Sequence, residues 1–128
     1  MSKWMTIFSA GLVMLSLTMT STALAKQPNP IEFEPMATRI SDGNGGQDTL
    51  YLVIMIQPKR AGDVSHILAH TKQIKNALIR RLRKVNSKQL IPPEGNTEWL
   101  EEELWTLAEQ IIKPLKLDGA FFRELSIE

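Results

Sequence analysis

The chain has 128 residues, no cysteine and a formal charge of only +1 at pH 7, from 15 Lys and Arg against 14 Asp and Glu. So balanced a charge gives no overall field to draw the protein to nucleic acid, and the lack of cysteine excludes a disulfide framework and a lipoprotein anchor on a cysteine. Once a leader is removed, the length suits one small domain.

Residues 1–25 read as an export signal. Lys3 supplies a basic start, and the strongly apolar part runs from Met5 to about Met19. Thr18, Thr20, Ser21 and Thr22 then lead into Ala23-Leu24-Ala25, which has small residues at signal-peptidase spacing. Cleavage is expected after Ala25, with Lys26 as the first mature residue. The rival reading is an uncleaved anchor, since Trp4 to Ala25 carries no charge and about 20 apolar residues span a bilayer. The polar run before Ala23 favours cleavage. Both readings place residues 26–128 outside the cytoplasm.

Lys26 to Pro30 is a polar, proline-containing lead. Ile31 to Ile40 has the pattern of an edge strand, with Ile31 and Phe33 alternating against Glu32 and Glu34, and Pro35 removing one ladder donor. Ser41-Asp42-Gly43-Asn44-Gly45-Gly46 predicts a loop. Thr49 to Gln57 predicts the central strand, with Leu50, Leu52, Ile54 and Ile56 on one face and Tyr51, Val53 and Met55 on the other. Apolar residues on both faces imply a strand covered on both sides.

After Pro58, Asp63 is placed to N-cap a helical stretch reaching about Val85. At about 100° per residue, Ile67, Ile74, Leu78, Leu82 and Val85 gather within one arc, opposite Lys72, Arg80 and Arg83. The spacing leaves open whether this helix is continuous or bends near His70-Thr71. Pro92-Pro93-Glu94-Gly95 interrupts the chain, and a second helix starts near Asn96 or Thr97, with Glu98, Glu101 and Glu102 at its positive dipole end. Leu100, Leu104, Leu107 and Ile111 make its apolar stripe, and Pro114 stops it near Lys113. Asp118-Gly119 predicts a turn into a last strand, Ala120 to Ile127, with Phe121, Leu125 and Ile127 on one face. The order strand, strand, helix, helix, strand predicts an α+β fold, a small and mainly antiparallel sheet packed with two principal helices. Phe121, Leu52, Ile74 and Leu104 are its expected core members.

No catalytic constellation emerges. His66 and His70 stand i,i+4, the spacing of two zinc ligands on a helix, but no third ligand is evident and no Glu lies between them. They read as ordinary surface or boundary histidines, with a small metal-binding module as the remote alternative. Asp63, Ser65 and His66 are triad residue types, yet neighbours on one helical turn cannot align as nucleophile, base and orienting acid. The Gly43 to Gly46 stretch lacks the lysine and helix of a phosphate loop. Glu101, Glu102 and Glu103 are consecutive and spread around the helix, which suits solvation better than paired acid–base work. A non-enzymatic protein without cofactor, metal or small-molecule substrate is expected. Trp99 and Trp105 flank the second helix's stripe and serve either to cover the core's edge or to mark an interface.

The charge is unevenly placed. Lys72, Lys75, Arg80, Arg81, Arg83, Lys84 and Lys88 form a basic run without an acid, and Glu94, Glu98, Glu101, Glu102, Glu103 and Glu109 an acidic run without a base. Charged outer faces are ordinary for soluble helices. They also offer a partner or lipid face at Lys72, Arg80, Arg83 and Lys84, and an acidic partner face at Glu98, Glu102 and Glu109, which could meet head to tail in a ring.

The run TLYLVIMIQ, the helix QIKNALIRRLRKVNSKQL, the segment EGNTEWLEEELWTLAEQII and the closing FFRELSI together resemble the periplasmic domain of the flagellar basal-body-associated FliL family. The likeness covers nearly all of residues 26–128 and rests on order and spacing, not on an invariant chemical motif. It implies a stomatin-like domain in the periplasm that contacts the flagellar stator and copies of itself, and that supports rotation, swarming and motility-linked chemotaxis. This chain differs from the family at its start. A signal-like leader and a short lead stand where the family has a cytoplasmic tail, an uncleaved membrane helix and a longer linker.

Overall fold

The computed structural model describes residues 28–128, so the leader and the Ala25 junction lie outside the described residues. The elements run β1 (Ile31–Glu32), β2 (Met36–Ser41), β3 (Gln47–Pro58), α1 (Val64–Leu68), α2 (Thr71–Leu82), α3 (Glu98–Ile111) and β4 (Leu117–Ile127). Short 3-10 turns at Ala61–Asp63 and Ser87–Gln89 precede α1 and follow α2. The architecture is α+β, with a small antiparallel sheet and three helices where two principal ones were expected.

The long strand β3 organises the sheet. β4 pairs antiparallel with it from Leu50↔Ile127 to Pro58↔Leu117. β1 and β2 share its other edge, with Ile31↔Ile56 and Met36↔Leu52 as partners. The predicted edge strand is therefore one edge in two pieces. Phe33 still donates to the Ile54 carbonyl at 2.9 Å, and the chain then bulges past Pro35, which has no N–H to offer.

Leu50, Leu52, Ile54 and Ile56 are fully buried against Ile67, Ile74, Leu78 and Leu82 from α1 and α2, and against Leu100, Leu104 and Ala108 from α3. At about 1.5–3 kcal/mol for each large aliphatic side chain removed from water, this layer is the main source of stability. The other face of the sheet carries no helix among the described residues. Val53 is buried there, but Tyr51 remains 43% exposed and Phe121 37% exposed. Covering on both sides, expected from the apolar content of β3, is thus found on one side only.

The helical stretch after Asp63 bends. His70 leaves helical geometry (φ −113°, ψ 10°), and two side chains take up carbonyls of the ending helix. Thr71 Oγ1 donates to the Leu68 carbonyl at 2.9 Å, and His70 Nδ1 lies 2.8 Å from the His66 carbonyl. Such local side-chain bonds compete with the helical ladder. Asp63 sits at the N-cap of α1 but makes no capping bond; its Oδ2 is buried without a hydrogen bond, 3.7 Å from Arg60 Nε.

The buried stripe of α3 is Leu100, Leu104, Ala108 and Ile112, with Leu107 and Ile111 only half-buried. It follows an i,i+4 row, slightly rotated from the stripe read from the larger side chains. β4 also differs from expectation. Asp118 and Gly119 belong to the strand, and a bulge at Arg123 shifts the register between Val53↔Glu124 and Ile54↔Phe122. Because one extra residue reverses side-chain alternation, Phe122 joins Leu125 and Ile127 on the helix-facing side, and Phe121 turns out of the core.

Candidate functional site

The helices that carry the two charge runs lie side by side. Arg81 of α2 makes a two-pronged pair with Glu103 of α3, with Nε to Oε1 at 2.6 Å and Nη2 to Oε2 at 2.9 Å. The same guanidinium lies 5.5 Å from the centre of the Trp99 ring, whose indole N–H donates to the Gln89 carbonyl at 3.0 Å. Part of the charge asymmetry is therefore satisfied within one molecule. Trp99 packs at the margin of the core, while Trp105 is 37% exposed.

Lys72, Arg80, Arg83 and Lys84 are all exposed, and none has an acidic partner among the described residues. They form an outward ridge along α2 and the turn that follows it, with Arg80 beside a shallow depression shared with Gln73, Asn76 and Ile111. The far end of this ridge is tied to the start of β3. Ser87 Oγ donates to Asp48 Oδ2 at 2.6 Å, and Lys88 Nζ to Asn44 Oδ1 at 3.2 Å. The loop there is held by Asp42 Oδ1, which accepts from the N–H groups of Asn44 (2.7 Å) and Gly46 (3.0 Å). These two bonds, in that order, followed by Lys88, hold the Asp42 carboxyl below the usual carboxylate range. Gly43 and Gly45 supply the positive φ, 83° and 90°, that the loop needs.

The acidic face divides. Glu98 and Glu102 are exposed, whereas Glu109 turns inward. Its Oε2 accepts from the Trp105 indole at 2.9 Å and from the Leu117 N–H at 2.8 Å, and Lys116 Nζ lies 3.8 Å from Oε1. Burial works against its charged form, but the Leu117 N–H, the Trp105 indole and the charges of Lys116 and Lys59 outweigh it and hold the carboxyl below its usual range. Glu101 acts in a similar way further along, accepting from the Phe122 N–H at 3.0 Å. Both amides belong to β4, the outer strand of the sheet. Helix α3 thus supplies acceptors to an edge that would otherwise offer bare donors. Sequence reading missed this role because it depends on the register of β4.

His66 and His70 do come together, with ring centres 4.5 Å apart. No group of three or more His, Cys, Asp or Glu suited to hold a metal is found among the described residues. Nor is any helix among them long and apolar enough to cross a membrane. No protein-family model matches the chain, and no curated protein is significantly similar to it.

Proposed function

We propose that this protein is a periplasmic, non-enzymatic accessory of the flagellar basal body, of FliL type and with a stomatin-like domain. On this reading it acts by contact with the motor stator and with other copies of itself, and so supports rotation, swarming and chemotactic motility. The observation that carries the reading is the resemblance of TLYLVIMIQ, QIKNALIRRL, EGNTEWLEEEL and FFRELSI, in that order, to the family's periplasmic domain. An α+β layer of helices on a small antiparallel sheet is the architecture class such a domain requires. The exposed ridge Lys72, Arg80, Arg83 and Lys84 is the partner face, and exposed Glu98 and Glu102 are the remaining acidic counterpart.

The second reading is a periplasmic adaptor of the same fold without a flagellar partner, binding envelope lipid or another membrane protein. The leader and the exposed cations favour it equally. Swimming speed of a deletion strain, with flagella counted by microscopy, separates the two. Persistent filaments with slowed or stopped cells support the motor role. Unchanged speed and filament number, in both liquid and viscous medium, reject it in favour of the adaptor.

A further inference from the structure

The described chain begins at one particular end of the sheet. Gln57 Nε2 donates to the Pro28 carbonyl at 2.8 Å, which fixes the entering chain beside the last residues of β3. Lys59 and Arg60 follow directly in sequence, and the C-terminal side of α3 and the start of β4 close the same end through Pro58↔Leu117. Two shallow depressions of about 420 Å³ each meet there and share Pro114, Leu115 and Lys116. Lys59, Arg60 and Asp118 complete one; Lys113 lies in the other.

Three of the four cations around this tip are only loosely held. Lys59 has a close partner in Asp118, at 2.8 Å. The Arg60 side chain is 75% exposed and 3.7 Å from Asp63, and that of Lys116 is 71% exposed and 3.8 Å from Glu109. Lys113 is exposed and has no acidic partner among the described residues. Three acids therefore face four cations, and the cations are the more accessible set.

The length of chain outside the described residues names the occupant. Trp4 to Ala25 is uncharged and mostly apolar, and from Ala25 to Pro28 the backbone reaches at most about 10 Å. With that apolar segment in a bilayer, before cleavage or without it, this end of the domain sits close to the headgroups, near the ~8 Å screening length of physiological salt. Arg83 and Lys84 lie toward the opposite end of β3, whose 12 residues span about 35 Å, so they do not reach the same surface.

We propose that the chain-entry end is a docking surface for anionic phospholipid headgroups, formed by Lys59, Arg60, Lys113 and Lys116 around the Pro114-Leu115 tip. The surface lets the domain stay at the membrane after its leader is removed, and it frees the α2 ridge for protein partners. It deepens the membrane association in the proposed function and rests on that exported location, but not on the identity of the motor partner.

The test is amine labelling of the protein as the cell exports it, mixed with vesicles of phosphatidylcholine alone or with added phosphatidylglycerol. Phosphatidylglycerol is expected to protect Lys113 and Lys116 several-fold while leaving Lys84 open, and high salt is expected to remove the protection. The double substitution Lys113→Gln/Lys116→Gln should weaken the phosphatidylglycerol-dependent part of vesicle binding about 25-fold, at roughly five-fold per cation, with unchanged circular dichroism. Arg60→Gln, at a side chain that is 75% exposed, is the independent variant and should weaken it about five-fold. Equal protection of Lys84, equal labelling with and without phosphatidylglycerol, or an unchanged double variant overturns the proposal. Protection by phosphatidylglycerol together with unchanged swimming of the deletion strain would reject the motor reading and leave the lipid surface standing.

Discussion

Arg81 and Glu103 meet through two parallel hydrogen bonds of 2.6 and 2.9 Å, joining the basic helix to the acidic one. Both side chains are 35% exposed, so solvent screens the pair, and its planar two-pronged geometry places it toward the upper part of the range for surface ion pairs. Arg81→Ala and Glu103→Ala should each lower stability by about 1 kcal/mol, with a coupling energy near 0.5–1 kcal/mol in a double-mutant cycle of urea unfolding. Arg81→Lys should recover only part of the loss, since an ammonium cannot make the paired bonds.

Glu101 accepts the outward N–H of Phe122, and its removal should reopen the edge of β4. For Glu101→Ala the expected results are loss of about 1–2 kcal/mol, faster hydrogen exchange at the Phe122 amide, and a concentration-dependent shift toward larger species in size-exclusion chromatography. Exchange at Phe122 that stays as slow as in the parent protein would contradict the assignment.

The inward-facing Glu109 predicts acid sensitivity. Its folded-state pKa lies below the ordinary value of 4.5, so its contribution is fully present above about pH 4.5 and is lost as pH falls through the lower folded value. Asp42 shifts in the same direction from 3.8. Thermal midpoints measured from pH 6 downward should therefore decline below about pH 4.5. Glu109→Gln should be less stable at neutral pH and show a shallower decline, because the amide does not titrate.

The bulge at Arg123 gives adjacent phenylalanines different fates. Phe122 packs against the core, while Phe121 is 37% exposed on the open face. Phe122→Ala should cost about 3 kcal/mol and Phe121→Ala less than about 1 kcal/mol. A reversed order in denaturant unfolding would mean the register is displaced by one residue.

Much of the fold is legible in periodicity. The even-numbered residues Leu50 to Ile56, the arc Ile67 to Val85, and Leu100 with Leu104 are buried as their spacing predicts. The errors arise where one residue changes the register or where a side chain takes a backbone group. The β4 bulge moved Phe121 out of the core, and the bend that spacing left open at His70-Thr71 is decided by the bonds of Thr71 and His70 that end α1. Glu109 reads as a surface acid in a run of acids, because nothing local announces that it will meet the Leu117 N–H and the Trp105 indole. The exposed basic ridge was readable, since Lys72, Arg80 and Arg83 oppose the apolar arc. Its separation from the chain-entry end was not, because that depends on how α2 lies along β3.

The central proposal is that the α2 ridge touches the stator, and site-specific crosslinking in living, swimming cells tests it most directly. A photoreactive side chain at position 80 or 83 should capture a stator subunit, whereas one at position 51, on the open sheet face, should not. Capture of the stator from position 51 alone, or of none from position 80 or 83 in cells whose swimming depends on the protein, would contradict it.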